Sequence, residues 1–164
     1  TFYSTSEEHL LIDAARRGDV AYIKERIADG ADLSITDGRG FTPLIIATYD
    51  EHLEVARLLL EAGADPNTQD NGGNTALMGV CFKGYPEIGQ LLLNHGANLN
   101  LQNGSGGTAL MFATLFGRNQ MVKLVLEAGA DTTLRDQRGL TALDLAAQQG
   151  NEEAFLLLKQ YPVA

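Results

Sequence analysis

A period of 33 residues runs through most of this 164-residue chain and constrains its fold more than any other feature. The period is clearest from Asp37 to Gln69, which reads DGRGFTPLIIATYDEHLEVARLLLEAGADPNTQ. Three residue types recur in register, namely glycine at 40, 73, 106 and 139, threonine at 42, 75, 108 and 141, and leucine at 44, 77, 110 and 143. Because a unit this short cannot bury its own apolar face, the period predicts repeats that stack on one another.

The register divides the chain into one domain, residues 1–164, made of five units. We predict an N-terminal cap repeat at 4–36, full repeats at 37–69, 70–102 and 103–135, and a C-terminal cap repeat at 136–164. In the last unit Lys159 replaces the leucine found at 60 and 93, and Pro162 replaces the terminating glycine. These changes are typical of a terminal unit with a polar outer side.

Each full unit carries the pattern of two helices followed by a turn. Thr42-Pro43 predicts a helix start, with threonine as the N-cap and proline at the first helical position. The second helix contains Leu58-Leu59-Leu60, and its apolar face is so broad that neighbouring units must cover it. The stretch between units is rich in glycine, aspartate and asparagine, which predicts a long turn or hairpin.

Three motifs together resemble the ankyrin repeat: Thr-Pro-Leu at 42–44, the leucine triplet at 58–60, and Gly-Ala-Asp-Pro-Asn at 63–67. The resemblance spans about residues 8 to 160. It implies an all-α repeat solenoid of stacked helix-turn-helix units with β-hairpin loops. It further implies a protein that is not an enzyme, needs no cofactor, and binds other proteins through its concave face and hairpin tips. The Ala-Leu-Met variants are more typical of bacterial members, and the two caps predict a small stand-alone protein.

The chain departs from the ankyrin pattern in three places. The histidine that follows Thr-Pro-Leu in the family is replaced at Ile12, Ile45, Met78, Met111 and Asp144. We expect an apolar ladder there, and a methionine metal site is a remote alternative. Glu51 stands where other units have glycine, so a left-handed backbone would be strained at this residue. Val80 replaces the alanine of the other units, which predicts altered packing between the second and third full units.

Composition narrows the class of partner. With 21 acidic and 12 basic residues the net charge is −9, which argues against a nucleic-acid backbone as partner. No apolar run is long enough for a membrane-spanning helix. The first residues lack the features of a signal peptide. We therefore favour a cytoplasmic location, although a periplasmic or secreted one is compatible with a leader that has been removed.

The side chains that could take part in catalysis or metal binding each have a structural explanation. The three histidines, His9, His52 and His95, occupy different places in the repeat, so we do not expect them to converge on a metal. Cys81 aligns with small residues, which predicts a packed thiol. The turn aspartates form columns that local backbone bonds explain, with a calcium ladder as the alternative. The glycine-rich 103–107 lacks a P-loop lysine and reads as a hairpin tip; its Asn103-x-Ser105 also matches a glycosylation acceptor.

One column of residues near the end of the first helix suggests a binding surface. Its central members include Tyr49, Phe82 and Phe116, from a chain with only 6 Phe and 5 Tyr. We predict Tyr49 to be exposed, and leave open whether Phe82 and Phe116 are exposed or packed. The full set of predicted partner-binding residues is Arg39, Phe41, Tyr49, Asp50, Phe82, Lys83, Leu115, Phe116 and Arg138.

The leading interpretation is a non-catalytic, monomeric protein-interaction scaffold with a protein partner of unknown identity. Two alternatives stay open. One is a module of a larger regulatory protein, and the other, less favoured, is a small-molecule or metal-binding protein. The second alternative needs convergent titratable groups, and the sequence shows none.

Overall fold

The structure, a computed structural model, describes residues 7–161. The predicted ends of the domain, residues 1–6 and 162–164, and with them Pro162, lie outside the described residues. The helices are α1 Glu7–Arg17, α2 Val20–Ala28, α3 Pro43–Tyr49, α4 Leu53–Glu61, α5 Ala76–Lys83, α6 Pro86–Asn94, α7 Ala109–Leu115, α8 Asn119–Glu127, α9 Ala142–Gln149 and α10 Glu152–Gln160. None of these helices is long and apolar enough to cross a membrane.

The helices stack in two parallel rows, which confirms the all-α repeat solenoid. The first helices of the units, α1, α3, α5, α7 and α9, each pack on the next member of their row. The second helices, α2, α4, α6, α8 and α10, form the other row in the same way. The two helices of a unit also pack on each other. The leucine-rich second helices are thus covered by their neighbours, as the breadth of their apolar faces requires.

Threonine starts each first helix from α3 onward. The hydroxyl of Thr42 accepts the backbone N–H of Ile45 at 3.1 Å, and Thr75, Thr108 and Thr141 do the same in their units. The places of the missing histidine are filled as expected by buried methionines at 78 and 111. In the last unit the carboxylate of Asp144 accepts the Thr141 N–H at 3.0 Å and completes a capping box, whereas in the second full unit Sδ of Met78 accepts the Thr75 N–H at 3.4 Å.

Val80 is fully buried at a position that holds alanine in the other units. Space for it comes from Gly89 on α6, at a position that carries a side chain in the neighbouring units. A Cβ added at Gly89 would lie 3.6 Å from Cγ1 of Val80 and only 2.8 Å from Cε of Met121 in the next unit. The packing is therefore altered as predicted for Val80: a larger side chain on α5 is accommodated by a smaller residue on α6.

The loops between units are turns, and no β-strand occurs within residues 7–161. Each turn is closed by backbone bonds such as that from Asp37 N to Phe41 O at 3.1 Å. Successive turns are joined by single backbone bonds, from Asn71 N to Arg39 O at 3.0 Å and from Gly104 N to Gly72 O at 2.9 Å. One bond between neighbouring turns links the row without making the ladder of a sheet.

Glu51 has a left-handed backbone, with φ 63°, and it is the one non-glycine residue with positive φ in residues 7–161. The equivalent Gly18, Gly84, Gly117 and Gly150 have φ of 72°, 83°, 69° and 66°. The stack therefore requires this conformation at the end of each first helix, whichever residue is present. A side chain with a Cβ is strained there.

Side chains at the start of three second helices bind the preceding unit, and one of them is Asn151, which donates from Nδ2 to the carbonyl oxygen of Thr114 at 3.2 Å. His52 places Nε2 2.8 Å from the carbonyl oxygen of Arg16, and Arg118 donates from Nε to the carbonyl oxygen of Phe82 at 2.9 Å. Both carbonyls belong to the last turn of a first helix, where no intrahelical donor is available. His52 therefore has a structural role between two units, and the Phe82 backbone is held in place.

A candidate protein-binding groove

A groove of about 530 Å³ runs between the turns and the first helices of the N-terminal three units. Of the predicted partner-binding residues, Arg39, Phe41, Tyr49, Asp50 and Phe82 line it. The turns supply Arg39 and Phe41, and the end of α3 supplies Tyr49 with Asp50 as its C-cap. The repeat register brings these residues together, because the turn of one unit lies beside its own first helix.

Three aromatic rings, which we call the aromatic row, cross the units in the order Tyr49, Phe82, Phe116. The first two rings are nearly parallel, with centroids 6.4 Å apart and 4° between planes. The second and third meet edge to face at 4.6 Å. Tyr49 is 40% exposed and Phe116 45%, whereas Phe82 is half-buried between them. Tyr49 therefore has the exposure expected of it, and of the two undecided rings only Phe116 is well exposed.

Sequence reasoning missed two residues that shape this surface. Phe112 lies parallel to Phe116, with centroids 6.4 Å apart, and it lines the groove. Gly79 has no side chain at a position where other units have Ile46, Phe112 and Leu145. A Cβ added there would lie 3.1 Å from Cδ1 of Tyr49, so the Tyr49 ring packs closely over this glycine. Two signals were available in the sequence: Phe112 is one helical turn before Phe116, and a glycine inside a helix needs a packing reason.

The remaining predicted residues lie outside the groove proper. Leu115 and Arg138 line a second, smaller depression of about 250 Å³, and Phe112 separates it from the groove. The guanidinium of Arg138 is bonded to the Asp136 carboxylate at 2.8 and 3.2 Å. Arg138 thus pairs within its own turn while its side chain stays 62% exposed, and Leu115 continues the apolar surface beyond the aromatic row.

The arginines that line the groove, and Lys83 beside it, have local partners. The guanidinium of Arg39 lies 4.6 Å from the Phe41 ring centroid, and the Lys83 ammonium lies 4.9 Å from that of Tyr49. Arg39 and Arg16 share the carboxylate of Asp37, at 4.0 and 3.9 Å. Partial burial raises the pKa of Asp37, but bonds from the Phe41 and Arg39 N–H groups and the two arginine charges outweigh it and lower the pKa overall.

The turn acids bind backbone, as their columns predicted. Oδ1 of Asp70 accepts the N–H groups of Gly72 and Asn74 at 2.8 and 2.9 Å, and Oδ1 of Asn103 accepts the equivalent pair in the next unit. Because the neutral side chain of Asn103 accepts the same two bonds, this turn position requires a hydrogen-bond acceptor and not a negative charge. Within residues 7–161 no group of three or more histidine, cysteine or acidic side chains is arranged to hold a metal ion.

The thiol of Cys81 is packed as expected. It is fully buried in α5, and burial raises its pKa to about 12. A thiol with that pKa is almost entirely protonated at neutral pH, so it lacks the thiolate that a nucleophile or metal ligand requires.

Comparison with known proteins agrees with this architecture. The sequence profile of the family described as ankyrin repeats (3 copies) matches residues 11–103 and 77–163. The chain therefore belongs to the ankyrin repeat family. No curated protein matches the chain. Ankyrin repeats are generally modules of protein–protein interaction and are typically non-catalytic.

Proposed function

We propose that this chain is a non-catalytic scaffold that binds a protein partner through the aromatic row and the adjoining turn tips. The supporting observation is the continuity of the row across three units, with Tyr49 and Phe116 each at least 40% exposed. Exposed apolar surface of this kind commonly marks an interaction site.

The surface also has the chemistry of an interface hot spot. Aromatic side chains and arginine carry much of the energy in protein interfaces, and here Arg39 and Phe41 lie beside the row in the same groove. The rings support one another, since Phe82 contacts both Tyr49 and Phe116. A partner would therefore meet a preorganised surface and would lose less entropy in ordering it.

The experiment compares captured proteins between wild type and a Tyr49→Ala/Phe116→Ala double variant. Leu156→Ala is the matched control, because Leu156 is 54% exposed but lies on α10 in the row of second helices. We expect at least one partner to be retained by the control and lost by the double variant. For that partner each single change should weaken binding by about 2 kcal/mol, measured by calorimetry.

Phe82→Ala is a less clean probe of binding than Phe116→Ala. Phe82 is half-buried and contacts two rings, so its removal should also lower the melting temperature. The exposed Phe116 should affect binding with little change in stability. Partners that bind the double variant and wild type equally would refute the proposal.

A further inference from the structure

Two carboxylates in the groove have no cationic partner. Asp50 is exposed at the end of α3, and Asp70 lies in the turn of the second full unit. In the described part of the chain neither forms an ion pair, whereas Asp37 nearby receives both Arg16 and Arg39. The two arginines that line the groove are thus already paired, Lys83 beside the groove lies over the Tyr49 ring, and two acids are available.

From this distribution we propose that the groove binds an extended basic segment of the partner, in which an arginine or lysine stands next to a bulky apolar residue. The proposal rests on the function proposed above and specifies the chemistry of the partner. The apolar residue would occupy the groove among Tyr49, Phe41 and Phe82, and the cation would pair with Asp50 or Asp70 at its edge. A groove of about 530 Å³ has the size of sites that take a few side chains.

The aromatic faces add to the attraction for a cation. Guanidinium and ammonium groups bind over aromatic rings, and the groove already shows this contact where Arg39 lies over Phe41. A partner arginine can reach Asp50 and the Tyr49 ring together, because the two residues are consecutive and both line the groove. Lys83 already lies 4.9 Å from the Tyr49 ring centroid, so the partner cation would use the other face of the ring or displace the lysine.

Long-range electrostatics favour the same partner. The chain has net charge −9, so a basic segment is attracted before contact and an acidic one is repelled. This attraction weakens with added salt, because screening acts on exposed charges. A binding affinity that falls as salt rises is therefore part of the proposal.

The test begins with a display library of short random peptides selected on the wild-type chain and counter-selected on Tyr49→Ala/Phe116→Ala. We expect the surviving peptides to be enriched in arginine or lysine beside an aromatic or large aliphatic residue. Synthetic copies of the best peptides then serve as the defined probes for calorimetry.

The variants Asp50→Asn and Asp70→Asn measure the role of charge. Asp70→Asn should keep its turn, because Asn103 makes the equivalent backbone bonds in the next unit. The matched control is Asp65→Asn, which removes the same charge from a turn outside the groove where the next unit has Asn98 with the same bond. We expect one or both groove variants to weaken binding about tenfold, and the control to change it little.

The outcomes separate the two proposals. If the peptides depend on Tyr49 and Phe116 but are acidic or uncharged, the scaffold function stands and the basic partner is refuted. Basic peptides that tolerate both groove variants as well as they tolerate Asp65→Asn would also refute it. If no selected peptide depends on the aromatic row, the proposed function itself fails.

Discussion

The turns and the ends of the first helices both repeat their backbone conformation from unit to unit. Their side chains differ, because the turn residues are nearly constant whereas the helix-end residues vary. In the turn column, Asp37, Asp70, Asn103 and Asp136 each accept two backbone N–H groups through Oδ1. At the helix ends the left-handed residue also recurs, yet the residues before it run from Tyr49-Asp50 through Phe82-Lys83 to Leu115-Phe116.

The difference shows which positions the stack constrains. A turn side chain must satisfy the same two donors in every unit, so only aspartate and asparagine serve. A side chain at the helix end projects from the first-helix row and satisfies no backbone group of its own unit. Its identity is therefore free to vary, and in this chain the variation produces an aromatic surface.

Removing a turn acceptor should have the largest effect on stability. In Asn103→Ala the N–H groups of Ser105 and Gly107 lose their acceptor, and Asn74 loses the donor that Asn103 supplies from Nδ2 at 2.8 Å. Donors left unsatisfied cost free energy, so we expect a loss of about 2 kcal/mol in urea denaturation. The control is Asn103→Asp, which also loses the Nδ2 donor but keeps the Oδ1 acceptor for the two N–H groups, so it should lose less stability. Equal losses for the two variants would show that the acceptor is not what matters.

Relieving strain at the irregular helix end should have a smaller effect of opposite sign. Glycine adopts the φ of 63° found at Glu51 without steric cost, so Glu51→Gly should raise the free energy of unfolding by about 1 kcal/mol. Glu51→Ala is the control, since it removes the charge but keeps the Cβ. A melting temperature that does not rise for Glu51→Gly, or rises as much for Glu51→Ala, would contradict the strain argument.

The features that the sequence predicted well are those that a single unit specifies. The threonine caps, the paired helices, the acceptor role of the turn acids and the packed Cys81 each follow from residues within a few positions of one another. The period then extends them along the chain. Even the strained Glu51 was visible, because four other units have glycine at the same place.

The features that were missed depend on contacts between units. The groove needs Gly79 of one unit beneath Tyr49 of the preceding one, and Phe112 closes it from the next unit. The unequal exposure of Phe82 and Phe116 has the same origin, since Phe82 lies between rings from both neighbours.

Acid titration gives the smallest predicted effect. Partial burial raises the pKa of Asp136, but bonds from the Arg138 side chain and from the Leu140 and Arg138 N–H groups, with the Arg138 charge, outweigh it and lower the pKa. A carboxyl whose pKa is lowered by folding stabilises the fold above its unfolded pKa of about 4 and loses that contribution as the pH falls through the folded value.

Asp136→Asn should therefore lower the free energy of unfolding only slightly at neutral pH, because Asn103 makes the same two bonds in its own turn. The variant should also show a weaker dependence of stability on pH below about 4, because it lacks the titrating carboxyl. The measurement is the urea midpoint of both proteins over that range, where the difference between them should shrink as the acid titrates. The reverse change, Asn103→Asp, should add a pH dependence from a turn position that carries no titratable group in the wild type. If both variants keep the wild-type pH profile, the negative charge of the turn acids contributes nothing to stability, and their hydrogen bonds alone stabilise the turns.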